Sequence, residues 1–339
     1  METQTATARP LAAPLRSRAA LGAGRRRGSR LSIFIALIAN IVIAVAKLAA
    51  GLITGSSALL AESAHSTADS ANEILLGLSL RRARRPADLR HPFGYGGTRF
   101  LWAFLAAILS FLVGGCVSIG LAVNQLISGA AVDQFLVGWI VLAVAFVSDG
   151  TALLVSLRTA KREAALWGQS TATFLRQTSD PTLRALVVED TAALVGLALA
   201  GGGLFLHQVI GWTAADAIAS LLIGLLLAAT AAGLARPLAD LLIGQSVEPA
   251  RLEAVYRTVA ASPSVDAVLS IYAVHVAPQE VIVAAKVHPS PGQTGDQLAG
   301  AMDDLDRALR DGFPEVAEVF IDVTSRSPGA EAPVRSRHE

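Results

Sequence analysis

His65 and Asp69 stand four residues apart in the stretch 61–73, AESAHSTADSANE. In an α-helix that spacing stacks two side chains on one face, about 40° apart around the axis, so an imidazole and a carboxylate point the same way. Glu62 lies three residues before His65, and Asn72 and Glu73 lie three and four after Asp69, which makes the polar groups a stripe. The surrounding residues read as a membrane-spanning helix. An ionisable group at that depth costs about 2.5–3.5 kcal/mol and usually faces a cavity, a partner or a transport path. A buried structural network between helices is one reading of the stripe; handling of a metal ion or of protons is the other, and an HxxxD pair within a longer acidic stripe favours it. Further carboxylates lie in apolar surroundings: Glu189 and Asp190 in LRALVVEDTAALVG, and Asp149 in a separate apolar run. Neighbours on a helix point about 100° apart, so one of Glu189 and Asp190 is expected at the site and the other against a neighbouring helix. With His65, Asp69 and either of these acids, a three- or four-ligand nitrogen and oxygen site can be assembled, suited to Zn2+ and also to Mn2+ or Fe2+.

The elements that must carry these residues follow from composition. Of 339 residues, 53% are hydrophobic and only 16% are charged, against about 25% charged in soluble domains. The chain therefore reads as an integral membrane protein. Apolar blocks at 31–53, 58–80, 100–127, 135–157, 183–206 and 214–234 are each long enough to span a core of roughly 30 Å. The His65 stripe lies in the second block, Asp149 in the fourth and Glu189 with Asp190 in the fifth. Lys47, in the first block beside Asn40, lies too deep to be a trivial snorkelling residue. The basic residues gather in the first 30 residues and in the loops at 81–99 and 158–184, while the connections at 54–57, 128–134 and 207–213 hold no Lys or Arg. By the positive-inside rule both termini are cytoplasmic, or in the equivalent compartment. The composition reads as bacterial, which makes the bacterial cytoplasmic membrane the expected location.

Residues 1–30 are rich in Ala and Arg. They fit a transit peptide or a disordered basic arm, and the arm is preferred. From about Arg236 the composition becomes that of a soluble unit. It predicts a helix over 249–261, strands over 265–276 and 280–288, a helix over 295–311 and a strand over 316–324. This αββαβ order predicts a small split sandwich with its helices on one face of the sheet. The resulting parsing is an N-terminal arm (1–30), a six-helix transmembrane domain (31–235), a cytoplasmic αββαβ domain (236–325) and a disordered tail (326–339). Cys116 is the only cysteine, so no internal disulfide forms and a thiolate metal site is not expected. No HExxH or GxSxG occurs in any span, which argues against an intramembrane hydrolase and against enzyme activity generally. The arginine-rich arm has no nucleic-acid-binding motif beside it, and a role at the membrane surface is simpler.

Six spans, AESAHSTAD on the second, DLRHPFGYGGTRF after it, an acidic fifth span and an αββαβ tail together resemble the cation diffusion facilitator family over nearly residues 30–325. FVSDGTALLV, SDPTLRALVVEDTAALVG and LLIGQSVEP point to its zinc transporter 9-like branch. The resemblance implies a homodimer in the lipid bilayer whose tail is a ferredoxin-like dimerisation domain. It also implies exchange of a divalent cation, with Zn2+ first and Mn2+, Fe2+ or Co2+ as alternatives, against protons, with no permanently bound cofactor. It assigns His65 and Asp69 to the metal site and matches Asp190 to the acid of a second HxxxD. The position four before Asp190 is Leu186, which cannot bind metal, so Glu189, Asp149 or water would supply the missing ligand. Some members hold further metals where this chain has Asp88 and His91, although Tyr95 replaces a third His; others hold them near His275, His288 and Asp322. Lys47 and Asp216 take the place of a Lys/Asp pair that locks protomers together in related transporters, and His207 is expected at the interface with the lipid headgroups.

The expected mechanism is alternating access, in which a metal ion and protons compete for the same side chains and the ion leaves the cytoplasm. The alternative is a transport-impaired scaffold, or a metal-sensing regulator, acting through the C-terminal domain.

Overall fold

The structure, a computed structural model, describes residues 28–166, 170–177 and 181–325. The expected arm, apart from its last residues, and the expected disordered tail lie outside them. Six long helices form the first part: α1 Gly28–Thr54, α2 Ser57–Ala83, α3 Thr98–Ser128, α4 Phe135–Leu166, α6 Pro181–Ile210 and α7 Ala214–Leu242. A short α5, Thr171–Gln177, lies between α4 and α6. Five of the long helices are apolar enough to cross a membrane. The exception is α2, which carries Glu62, Asp69, Glu73, Arg81 and Arg82 in its 27 residues. It has the length of a span, at about 1.5 Å per residue, and buries most of its polar side chains against α1, α3, α6 and α7. The other helices supply the apolar exterior.

Two differences from the expected layout have simple causes. The basic connection expected from residue 158 is largely helical, because RTAKREAA continues α4 with residues of high helix propensity. The sixth span runs past the composition change at Arg236 and through Pro237 to Leu242. Within α3, Ser110–Cys116 is π-helical, a form that re-aims side chains and often marks functional positions. This segment packs on α7 at Gly224, where an added Cβ would lie 2.9 Å from the Ile119 nitrogen and 3.0 Å from the Gly115 oxygen.

The tail follows the expected αββαβ order: α8 Pro249–Ala260, β1 Val265–Ala277, β2 Glu280–Pro289, α9 Gly295–Gly312 and β3 Val316–Val323. Its sheet runs β1-β2-β3, with an antiparallel β1/β2 pair and a parallel β2/β3 pair. The α9 helix makes the crossover, begun by a capping box between Thr294 and Gln297. Val255 and Val259 of α8, Val283 and Val287 of β2, and Leu305 and Leu309 of α9 form the core on one face. The loop after α2 docks on this unit. Gly97 approaches β1 so closely that a Cβ would lie 2.8 Å from the Val276 carbonyl oxygen, and Phe93 meets Phe320 edge-on with ring centroids 6.4 Å apart.

Candidate metal and proton site

Placement of the polar stripe starts at the N-terminus of α2. Ser56 caps the helix by accepting from the Leu59 N–H. Asp216, in the first turn of α7 and fully buried, accepts from the Ser56 hydroxyl at 2.6 Å, the Ser57 hydroxyl at 3.3 Å and the Ala58 N–H at 3.3 Å. The positive ends of two helix dipoles and two hydroxyls thus satisfy this carboxylate. Lys47 is not its partner. The Lys47 ammonium lies deeper, wholly buried, and donates to Ser66 Oγ at 2.9 Å, Glu62 Oε2 at 3.1 Å and Asp149 Oδ2 at 3.2 Å. The ion pair expected between Lys47 and Asp216 is therefore absent within the chain, because each charge is met by nearer groups.

One turn further along α2, His65 Nδ1 lies 3.5 Å from Asp69 Oδ1. Both side chains point into the bundle. His65 Nε2 and Asp69 Oδ1 are buried without a hydrogen-bond partner, which leaves a nitrogen and an oxygen available as ligand atoms. The two acids of α6 diverge as their adjacency requires. Glu189 accepts from Asn72 Nδ2 at 3.0 Å, and the same amide nitrogen donates to Ser110 Oγ of the π-helical segment at 2.7 Å. Asp190 accepts from Ser156 of α4 at 2.8 Å. Asp69 is close enough to both acids to interact with their charge. Glu73 accepts from Asn40 of α1 at 2.7 Å. Among the described residues no three His, Cys, Asp or Glu side chains converge closely enough to hold an ion. Asp69, Glu189 and Asp190 form an acidic neighbourhood across two helices, with His65 beside it. A small cavity of about 50 Å³ between α2, α3, α6 and α7 reaches Glu189, lined by Asn72, Leu76, Ala107, Arg184, Glu189 and Pro237.

The remaining candidates do not assemble into further sites. Asp88 uses both oxygens within its own loop: Oδ1 accepts from the N–H groups of Arg90 and His91, and Oδ2 accepts from the Tyr95 hydroxyl at 2.8 Å. The Tyr95 bond, followed by the backbone N–H of His91, holds the Asp88 carboxyl below the ordinary carboxylate value, and the same bond raises the Tyr95 phenol. His91 stacks on Tyr95 with ring centroids 4.2 Å apart. In the tail, His288 lies 3.4 Å from Asp266, Asp322 lies 3.8 Å from Lys286, and His275 is half-buried on β1. Burial, and then the Arg251 charge, lower the His275 imidazole. His207 is buried against Phe135 at the end of α6 remote from the tail.

Sequence reasoning passed over the neutral partners Ser66, Ser110 and Ser156. Each is a small polar residue within an apolar or stripe-bearing helix, and Ser66 stands four residues after Glu62, where a shared partner would be expected.

Residues 33–243, more than half of the chain, match the cation efflux transmembrane domain. The chain belongs to the cation diffusion facilitator family. It is 28% identical over 261 residues to the mitochondrial proton-coupled zinc antiporter SLC30A9 of Xenopus laevis, covering 77% of this chain and 47% of that protein. It is 31% identical over 220 residues to metal tolerance protein C4 of Arabidopsis thaliana, covering 65% and 48%. The manganese efflux system protein MneP of Bacillus subtilis is 27% identical over 232 residues, covering 68% and 73%. The chain thus spans less than half the length of the first two relatives. Within the family it groups with the zinc transporter 9-like branch. In this cation diffusion facilitator the position four before Asp190 is Leu186, as the sequence requires, and Glu189 is the additional acid of the same helix.

Proposed function

We propose that this protein carries a divalent metal cation across the membrane in exchange for protons, by alternating access, with His65, Asp69 and Asp190 as the carrying groups. The observation behind this reading is the buried, unpartnered pair of donor atoms, His65 Nε2 and Asp69 Oδ1, beside the acids of α6. Glu189, which lines the cavity, is the substitute for the ligand absent at Leu186. Asp149 is a weaker candidate because Lys47 occupies it. Zn2+ is the proposed cargo, from the nitrogen and oxygen donor set and from the named activity of the SLC30A9 relatives; the name of MneP makes Mn2+ the first competitor.

Coupling follows from competition. A divalent ion binds a neutral imidazole and ionised carboxylates, so protons arriving on the opposite side displace it. An imidazole, with an ordinary pKa of about 6.5, exchanges protons within the physiological range. The arginine-rich loops favour the cytoplasm, or an equivalent compartment, for both termini, and ion export from it. The bacterial cytoplasmic membrane is the proposed location, although the SLC30A9 relatives are named as mitochondrial. The proposed working unit is a homodimer, with residues 31–235 as its transmembrane part and 236–325 as its cytoplasmic dimerisation part. Family membership favours transport over a transport-impaired scaffold.

The test is uptake of Zn2+, Mn2+, Fe2+ and Co2+ into proteoliposomes that contain a pH-sensitive dye. Metal entry with opposite proton movement is expected for the wild type, and loss of both for Asp69→Ala. An exchange rate undiminished in folded Asp69→Ala would remove Asp69 from the mechanism.

A further inference from the structure

We propose that Lys47 is a tethered counter-cation of the transport site: it keeps Asp149 out of the ion's coordination shell and sets, by its charge, how tightly the divalent ion is held. This inference rests on the antiport reading and adds to it a residue that governs affinity without touching the metal.

An ammonium has three N–H donors, and Lys47 spends them on Glu62 and Ser66 of α2 and Asp149 of α4. The cluster thereby joins three helices, with Lys47 and Glu62 fully buried and Asp149 partly exposed. It lies directly beside the metal-handling pair, since Glu62 and Ser66 flank His65 on α2, and both His65 and Asp69 feel the Lys47 charge. Glu62 also has a prepared seat on α6. Its Oε1 occupies the place where a Cβ of Gly196 would stand, so a larger residue there would push the carboxylate aside.

The charge count gives the cluster its effect. Two carboxylates surround one ammonium, so with all three ionised the cluster carries a single negative charge next to the place proposed for a divalent cation. Glu62 and Asp149 would otherwise be two strong anionic ligands, and a site with four or five carboxylates would hold the ion too tightly to release it. Lys47 neutralises one of them permanently. The ion is then attracted but not trapped.

The count makes opposite predictions for two neutral substitutions. Asp149→Asn removes the net negative charge and should weaken Zn2+ binding about tenfold, whereas Lys47→Gln doubles it and should tighten binding about tenfold while slowing turnover. The double variant Lys47→Gln/Asp149→Asn has the wild-type charge and should return to within about threefold of wild-type affinity. Zn2+ binding to the full chain is measured by titration calorimetry in detergent, beside proton-coupled uptake in liposomes. A merely structural role would lower unfolding temperatures without shifting affinity in opposite directions. Where Lys47→Gln fails to fold, the other two variants decide, since the double variant must bind Zn2+ more tightly than Asp149→Asn alone. Unchanged affinity in Asp149→Asn, or a double variant no tighter than that single one, would overturn the proposal. A wild-type protein that neither binds nor moves any of Zn2+, Mn2+, Fe2+ and Co2+ would instead overturn the antiport reading, and this proposal with it.

Discussion

The buried charges of the bundle fall into two regions with different company. At the end remote from the tail, Asp216 is met by two hydroxyls and a backbone N–H, and just below it Lys47 ties Glu62 to Asp149. Nearer the tail, Asp69, Glu73, Glu189 and Asp190 have only neutral partners or an imidazole: His65, Asn40, Asn72 and Ser156. A buried anion without a compensating cation is expensive. In the first region the compensation is built in, by hydroxyls and helix N-termini around Asp216 and by the Lys47 ammonium between Glu62 and Asp149. The second lacks it, which is the condition in which a divalent ion or protons would be taken up. Polarity alone does not separate these roles; the identity of the partner does.

That contrast is broken most directly by exchanging the consequences of two aspartates. Asp216→Ala leaves two buried hydroxyls and the Ala58 N–H without an acceptor, and should destabilise the bundle by about 3 kcal/mol. Asp190→Asn keeps an acceptor for Ser156 and should change stability by less than about 1 kcal/mol, yet abolish exchange. Thermal unfolding in detergent, paired with liposome flux, separates the two. Comparable unfolding temperatures for both variants would mean that the regions do not differ as described.

A smaller effect tests whether the loop after α2 is mechanically joined to the tail. Gly97→Ala places a methyl group 2.8 Å from the Val276 carbonyl oxygen, and backbone cannot yield there as a flexible side chain could. The loop should separate from β1 at about 1–2 kcal/mol, seen as faster amide exchange in residues 92–100 while the tail core around Val283 stays protected. Unchanged exchange would show that the loop rests on the tail without depending on it.

What could be read from the amino acids follows the same division. The His65 stripe was legible because polar groups four residues apart inside an apolar block have few structural explanations. The tail elements were legible too, since apolar residues rich in Val and Ile mark β1 and β2, and Thr294 with Gln297 announces a helix start. Partner choice was not legible. Whether Lys47 meets Asp216 or Glu62 depends on the rotation and depth of α1 against α2 and α7, which hydrophobic periodicity does not specify. The TGSS turn before α2 did hold a signal, because two serines at a helix start offer an anion an alternative to lysine. His288 and Asp322 face Asp266 and Lys286 rather than one another. Strand register decides that, and one-dimensional spacing carries register poorly. The helical continuation of α4 was hidden by its charge, which resembles a loop until helix propensity is weighed.

The smallest expected effect lies outside the membrane, in the loop that links the two parts. Tyr95 donates to Asp88, whose carboxyl is held below its ordinary value of 3.8 while the phenol is raised above its ordinary 10.0. The depressed acid contributes loop stability that is present above the ordinary carboxylate pKa and is lost as pH falls through the folded value. The raised phenol contributes stability that is present below pH 10.0 and is lost as pH rises through its folded value. The loop should therefore be most ordered across the broad neutral range and loosen at both extremes. Tyr95→Phe removes the alkaline limb entirely and weakens the acid limb, because the backbone N–H groups of Arg90 and His91 still hold Asp88. Amide exchange of residues 88–95 as a function of pH reads both limbs. At neutral pH the variant should exchange only about two- to threefold faster, as suits an exposed contact, and proton-coupled uptake should barely change. A large loss of uptake in Tyr95→Phe would mean that Asp88 takes part in admitting the ion, and would move the boundary between architecture and ion handling out to the loop.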